Sequence, residues 1–110
     1  MKIALPLVNG KFSMHFGHCE ELAVFEVEGN EIKRQIKLTP PPHEPGVLPR
    51  FMHEHGMDCI IAGGMGMRAQ QLFGQYGIKV VVGAQGTDSE QIVKDYLNGN
   101  LETGENICDH

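Results

Sequence analysis

Six consecutive residues, Met14-His15-Phe16-Gly17-His18-Cys19, combine two imidazoles, a thiol and a thioether. Imidazole nitrogen and sulfur are the donors that soft or borderline metals and metal–sulfur clusters prefer. His15, His18 and Cys19 are therefore candidate metal ligands, although two histidines and one cysteine do not complete a closed zinc site. The structural alternative is that His15 bonds the backbone, His18 faces solvent and Cys19 belongs to the core.

A second segment, Gly63-Gly64-Met65-Gly66-Met67-Arg68, follows an apolar strand pattern and opens a helical one. Glycines let backbone N–H groups approach a ligand closely, a helix N-terminus carries partial positive charge, and Arg68 adds a full charge. The segment thus favours an anionic guest. Met65 and Met67 either offer thioethers opposite Met14 or fill apolar gaps. The alternative is a tight turn that needs glycine only for its dihedral angles.

Other patterns in the chain are interpreted as structural. Gly64–Ala69 matches the dinucleotide pattern G-x-G-x-x-A, but the next predicted strand ends in Gly83-Ala84 with no acidic residue to bind ribose. His53 and His55 are two residues apart and do not share a helical face, which predicts surface positions. Cys59 lies in a predicted buried strand, as an inert core thiol does. Neither a nucleophile elbow nor a two-metal carboxylate pair is present, which favours binding over catalysis.

Five segments have the pattern of strands and three have the pattern of helices. The predicted strands are Lys2–Val8, Leu22–Val27, Glu31–Leu38, Met57–Ala62 and Ile78–Val82, with Asn9–Glu21 as a long loop and Thr39–Pro49 as a proline-rich connector. The predicted helices begin at Pro49, at Met67 and after the capping box Thr87-Asp88-Ser89-Glu90, with Thr87 as the cap, and they stop at Gly56, Gly77 and Gly99.

This order of elements predicts an α/β fold with a five-stranded mixed sheet. Right-handed crossovers give the strand order 3-2-1-4-5, with strand 2 antiparallel and helices on both faces. The connections reverse direction beside strand 1, so the crevice between the carboxyl ends of strands 1 and 4 is the predicted ligand site. The loops after these strands are the two segments described above, and the topology therefore brings them together.

The length, composition and net charge of the chain limit the classes of partner that it can bind. With 110 residues the chain fits one domain, assigned to residues 1–99, with a polar tail at 100–110 that includes Cys108 and His110. A net charge of -5 argues against a nucleic-acid partner, and no apolar run approaches the ~18–20 residues of a membrane span. The start of the chain lacks the features of a signal peptide, so we expect a cytoplasmic protein whose three cysteines are free.

The first strand, the His15-Phe16-Gly17 loop, the strand with Phe25 and the later Ala62-Gly63-Gly64-Met65-Gly66 together resemble the dinitrogenase iron–molybdenum cofactor biosynthesis family over residues 1–98. The resemblance implies a ribonuclease-H-like fold without nuclease residues. It also implies a carrier or chaperone for an anionic iron–molybdenum–sulfur cofactor, with His15 as cluster ligand and with cluster donor and acceptor proteins as partners. Similar proteins occur in anaerobes, and one relative of sulfate reducers holds a molybdenum–copper sulfide cluster noncovalently.

The leading hypothesis is a non-catalytic protein that binds an anionic metal–sulfur cluster. Met14–Gly17 and Gly63–Arg68 form its predicted cofactor-binding set. Two alternatives belong to other classes. The first is a regulatory or scaffold module that binds a nucleotide or a partner protein in the same crevice. The second is a small Cys/His enzyme, which requires a depressed pKa at the Cys19 thiol.

Overall fold

Strands occupy the first part of the chain, and helices then alternate with strands, as the hydrophobic periods predict. A computed structural model describes residues 1–13, 19–42 and 46–101, and no helix in these ranges is both long and apolar enough to cross a membrane. The elements in chain order are β1 (Lys2–Val8), β2 (Lys11–Phe12), β3 (Glu21–Glu28), β4 (Glu31–Leu38), α1 (Val47–Glu54), β5 (Cys59–Ile61), α2 (Met67–Gln75), β6 (Lys79–Val81) and α3 (Ser89–Leu97).

The strands form one mixed sheet in the order β4-β3-β1-β5-β6, with β2 paired to β1 beside that path. β1 is antiparallel to β3 and parallel to β5, and β5 is parallel to β6. The predicted α/β class with a mixed sheet is thus confirmed. Because β1, β5 and β6 run in the same direction, the loops that follow them meet at one edge of the sheet, here called the carboxyl edge.

The short strand β2 corrects the prediction of an uninterrupted loop over Asn9–Glu21. Asn9 and Gly10 form a two-residue turn with φ of 55° and 77°, and Val8 then pairs with Lys11. Positive φ at both central residues is typical of a type I′ hairpin turn, which Asn-Gly forms readily. The first part of the segment is therefore a hairpin that extends the sheet at the carboxyl edge.

Alternation along the strands produces two buried clusters, one on each face of the sheet. The cluster beneath α3, which we call the α3-side cluster, comprises Ile3, Leu5, Leu7, Phe12, Ala23, Phe25, Val27, Cys59, Ile61, Ala84, Ile92 and Val93. The cluster beneath α1 and α2, the α1/α2-side cluster, comprises Ala4, Leu22, Val24, Leu48, Met52, Met57, Ile60, Ala62, Met65, Phe73 and Ile78. Helices therefore cover both faces, and burial of these side chains is the main stabilising contribution.

Each of the three helices ends on a glycine with positive φ. In α2, Gly77 has a φ of 74°, its N–H donates to the carbonyl of Gly74, and the Ile78 N–H donates to Phe73. This pair of bonds is the Schellman motif, and it confirms Gly77 as the stop. α1 begins at Val47, two residues before the start predicted at Pro49. Pro49 is tolerated inside this first turn because the first N–H groups of a helix have no intrahelical acceptor.

The N-cap of α3 is Asp88 and not the predicted Thr87. The Asp88 carboxylate accepts a hydrogen bond from the backbone N–H of Gln91 at 3.3 Å. With Asp88 as the N-cap, Glu90 is the second residue of the helix and not the third, where a capping box needs it, and its carboxylate forms an ion pair with Lys94 at 3.2 Å. The Thr87 carbonyl instead accepts from the N–H of Phe12, which joins the loop before α3 to β2.

Substitutions of Asp88 and Thr87 distinguish the observed N-cap of α3 from the predicted one. Asp88→Ala should lower the free energy of unfolding by about 1 kcal/mol, because it removes the carboxylate that accepts the Gln91 N–H. Thr87→Ala should leave stability nearly unchanged, since only the Thr87 backbone is used. Urea unfolding of both variants is the measurement, and a larger cost for Thr87→Ala would restore the cap predicted from the sequence.

Candidate functional site

The loop that begins after β2 is fixed at both ends to the last residues of β1. The Ser13 N–H donates to the Pro6 carbonyl at 2.9 Å, and the Glu20 N–H donates to the Leu7 carbonyl at 2.8 Å. A side-chain bond closes the same base, because Glu20 Oε1 accepts the N–H of Asn9 at 2.9 Å. The intervening segment therefore starts and ends at the carboxyl edge, beside β1.

Five predicted site residues belong to that segment and lie outside the described residues: Met14, His15, Phe16, Gly17 and His18. The assignments of His15 and His18 as ligands stay predictions. What the structure establishes is where their segment is anchored. The Glu20 carboxylate, which the sequence pattern does not assign to the site, is part of that anchor.

The glycine segment follows β5 directly and joins it to α2. Gly63 and Gly64 are buried, Met65 is 1% exposed and belongs to the α1/α2-side cluster, and Met67 is 55% exposed. The carbonyl of Met65 accepts a hydrogen bond from Gln70 Nε2 at 2.9 Å, which fixes the turn into the helix. The two predicted thioethers thus differ: Met65 packs in the core, while Met67 is available at the surface.

The N-terminus of α2 is electrostatically positive. Its N-cap is Gly66, no side chain caps it, and its first turn contains no acidic residue. The exposed Arg68 in this turn adds a full positive charge. In α3, by contrast, the Asp88 carboxylate and Glu90 compensate the helix dipole. Both helices begin at the carboxyl edge, and of the two it is α2 whose N-terminal charge favours an anion.

Cys19 lies at the end of the anchored loop, half-buried and packed against the α1/α2-side cluster. Burial raises the pKa of the Cys19 thiol above 9.0, and a backbone hydrogen bond only partly opposes this effect. A nucleophilic cysteine needs the opposite direction, since the thiolate is the reactive form. The protonation of Cys19 therefore gives no support to the Cys/His enzyme.

The raised pKa predicts slow alkylation. At about pH 8 Cys19 should react with iodoacetamide more slowly than free cysteine does, because both its thiolate fraction and its accessibility are lower. The rate should increase as the pH rises past 9.0, the ordinary value of the thiol. Mass spectrometry of the peptide that contains Cys19 measures the rate. Labelling faster than that of free cysteine at about pH 6 would contradict the expectation and favour an enzyme.

A third loop shares the carboxyl edge, and sequence reasoning did not include it in the site. It follows β6, and its Gly83-Ala84-Gln85-Gly86 repeats the glycine spacing of Gly63-Gly64-Met65-Gly66. The Gly83 N–H donates to the carbonyl of Gly63 at 3.0 Å, so the two loops continue the β5–β6 pairing. The repeated spacing after consecutive parallel strands is the signal that identifies it.

The remaining candidates lie elsewhere. His53 on α1 and His55 at its C-terminal cap are exposed, as predicted, and the His53 ring stacks on Tyr76 at 4.8 Å. Cys59 is fully buried in β5, also as predicted. In residues 1–13, 19–42 and 46–101, no three His, Cys, Asp or Glu side chains are grouped closely enough to hold a metal ion.

Comparison with known proteins agrees with this architecture. A family model described as dinitrogenase iron-molybdenum cofactor matches residues 1–99. MJ0580 of Methanocaldococcus jannaschii is 36% identical over an alignment of 107 positions, and the alignment covers 93% of this chain and 90% of the relative. The crystal structure of PH0822 superposes on this structure with a TM-score of 0.88 at 30% sequence identity, and the match covers 94% of each chain.

The apo form of the orange protein from Desulfovibrio gigas has the same fold, with a TM-score of 0.73 at 21% identity over 96% of this chain and 93% of that one. The family match extends over β1 to α3 and includes both segments that the sequence singled out. The family resemblance inferred from the sequence is confirmed. The chain belongs to the dinitrogenase iron–molybdenum cofactor family.

Proposed function

We propose that this protein is a non-catalytic carrier of an anionic metal–sulfur cluster, held between Met14–Cys19 and Gly63–Arg68. The family membership supports a role in handling such a cofactor. The observation that carries the proposal is the uncapped N-terminus of α2, with Arg68 in its first turn, after the strand that pairs in parallel with β1. Fixed positive charge next to an anchored loop rich in soft donors suits an anionic, sulfide-containing guest.

The donor set of the described residues fits this class of guest. The exposed Met67 supplies a soft thioether, Arg68 supplies charge, and Cys19 supplies a thiol at the end of the loop. His15 is the proposed cluster ligand, with His18 and Cys19 as further metal ligands. The proposed guest is an iron–molybdenum or a molybdenum–copper sulfide cluster, exchanged with donor and acceptor proteins. The ribonuclease-H-like motif, the division into residues 1–99 and a tail at 100–110, and a cytoplasmic location also stay predictions.

Anaerobic reconstitution tests the carrier role. The protein is incubated with tetrathiomolybdate and Cu(I), or with molybdate, iron and sulfide, and is then desalted. A carrier should retain metal and sulfide in fixed stoichiometry, with charge-transfer absorption. Loss of all metal on desalting, under both sets of components, would overturn the proposal. Common nucleotides should give no heat in calorimetry, which separates the carrier from a nucleotide-binding module.

A pair of histidine variants tests the proposed ligand. His15→Ala should lose the retained metal, because it removes the imidazole assigned to the cluster. His53→Ala is the matched control, since this exposed histidine lies on α1 and should leave retention unchanged. Circular dichroism confirms that both variants are folded. Retention by His15→Ala equal to that of wild type would reject this ligand and leave only noncovalent cradling by Gly63–Arg68.

A further inference from the structure

Residues Gly83–Thr87, between β6 and α3, continue the sheet past the end of β5, and we call them the β6 extension. Near its start, the Gly83 N–H donates to the carbonyl of Gly63, the residue that opens the glycine segment after β5, at 3.0 Å. At its end, the Thr87 carbonyl accepts the N–H of Phe12 in β2 at 2.9 Å. The β6 extension is therefore bonded first to the chain that follows β5 and then to β2.

The strand β2 continues the row of the sheet in which β5 ends. Leu7 of β1 pairs with Glu21 of β3 on one side and with Phe12 of β2 on the other, so β2 lies on the same side of β1 as β5 does. β5 ends at Ile61, and its chain leaves the sheet through Gly63-Gly64-Met65-Gly66. This glycine segment therefore departs at the gap between β5 and β2, which β1 flanks on one side and the β6 extension on the other.

Gln85 and Gly86 lie in the middle of the β6 extension, beside this gap. Both are exposed, whereas Gly83 and Ala84 are buried. Across the part of the chain that the structure describes, the N–H groups of Gln85 and Gly86 donate to no acceptor. Gly86 has a φ of 113°, a conformation that a residue with a side chain rarely adopts. Two backbone N–H donors and the Gln85 side-chain amide are thus available to a guest.

The β6 extension offers hydrogen bonds without charge. It contains no Asp, Glu, Lys or Arg. Neighbouring backbone N–H groups form concavities that bind anions, and the sulfurs of metal–sulfur clusters accept hydrogen bonds from the protein. The counterpart of Arg68, twenty residues later in the repeated pattern, is Asp88, whose carboxylate caps α3. The two repeated segments therefore differ in what they supply: Gly63–Arg68 supplies positive charge, and the β6 extension supplies neutral donors.

We propose that Gln85 and Gly86 form a second wall of the anion site and donate hydrogen bonds to the sulfide ligands of the guest that Gly63–Arg68 attracts by charge. This contact rests on the proposed function, because it requires the guest to bind at the glycine segment. It adds to the site a loop that is bonded both to the glycine segment and to β2, the strand that leads into Met14–Cys19.

Amide NMR of the whole chain tests this contact, with tetrathiomolybdate and Cu(I) as the probe. The signals of Gln85 and Gly86 should shift together with those of Met67 and Arg68 as the probe is added. The exchange of the Gln85 and Gly86 amide hydrogens with solvent should slow at least about tenfold, because a bonded amide exchanges only when its bond opens. Unchanged exchange at these two amides would overturn the contact. Metal retained on desalting would then leave the proposed function standing, whereas loss of all metal would overturn both.

A charge substitution of equal size supplies the matched control. Gln85→Glu removes the side-chain N–H donors and adds a negative charge, so retention of the probe should weaken at least about fivefold. Gln75→Glu makes the same change at the exposed last residue of α2, about 12 Å along the helix from Met67. It should leave retention within about twofold, since exposed charges at this distance are largely screened. Retention by Gln85→Glu equal to that of wild type, or equal weakening in both variants, would reject Gln85 as part of the wall.

Discussion

Phe25→Ala is expected to lower the free energy of unfolding by about 3–5 kcal/mol. Phe25 is fully buried in the α3-side cluster and lies opposite Ile3 of β1 in the sheet register. Removing the ring leaves a cavity that the rigid strands on either side cannot close. Domains of this size have a total stability of about 5–15 kcal/mol, so the change is a large part of the whole. Urea unfolding should show a lower midpoint at an unchanged m-value.

Gln35→Ala is the matched control for this variant. Gln35 is the β4 partner of Phe25 in the same register row, but its side chain is exposed. Its removal should change stability by less than about 0.5 kcal/mol, as is usual for surface substitutions. A cost for Phe25→Ala as small as that of Gln35→Ala would mean that β3 does not pack beneath α3 in this register.

Hydrophobic period and glycine placement were sufficient to predict most of the fold. Helix stops at Gly77 and Gly99 followed from the sequence because glycine readily adopts the left-handed conformation that lets the next N–H groups bond the last carbonyls of a helix. The strand bounds were less well predicted: Met57–Ala62 contains the three-residue strand Cys59–Ile61. An apolar run indicates that its residues are buried, whereas a strand also requires a neighbouring strand for its hydrogen bonds. The length of that neighbouring strand cannot be predicted from the run itself.

The hairpin at Asn9-Gly10 shows a signal that was present and was not used. Asn-Gly is the strongest two-residue turn signal, yet only two residues of strand follow it before the histidine segment. A period cannot be detected in two residues. β2 is also held by a residue far away in the sequence, since the Phe12 N–H donates a hydrogen bond to the Thr87 carbonyl. The local sequence does not reveal this contact.

Topology predicted the position of the glycine segment better than it predicted the environment of each residue within that segment. The order of strands placed the glycine segment at the carboxyl edge, where it is observed. That Met65 would be buried and Met67 exposed depends on how the turn packs against Ala62 and Phe73, which the sequence spacing does not determine. The bond between Asn9 and Glu20 likewise joins residues eleven apart, and only the folded loop brings them together.

Arg68→Glu is expected to affect stability and binding in opposite directions. The first turn of α2 has no acidic residue, so a glutamate there should stabilise the helix dipole by about 0.3–1 kcal/mol. The same change removes a positive charge and adds a negative one beside the proposed anionic guest. Retention of tetrathiomolybdate with Cu(I) should weaken by at least about tenfold. Urea unfolding and anaerobic equilibrium dialysis measure the two effects.

Lys33→Glu provides the comparison that isolates position from net charge. Lys33 is an exposed lysine near the start of β4, beside Met1 and Lys2 at the end of the sheet opposite the carboxyl edge. Its reversal alters the net charge equally and should leave retention within about twofold, since exposed charges separated by more than a Debye length of ~8–10 Å are largely screened. Equal weakening in both variants would show that retention responds only to overall charge, and the α2 terminus would then have no special part in binding. The expected result is an Arg68→Glu protein that is more stable but has lost the cluster, and a Lys33→Glu protein that retains it. This result would show that the α2 dipole is left without an acidic residue at a cost in stability, and that the cluster binds there.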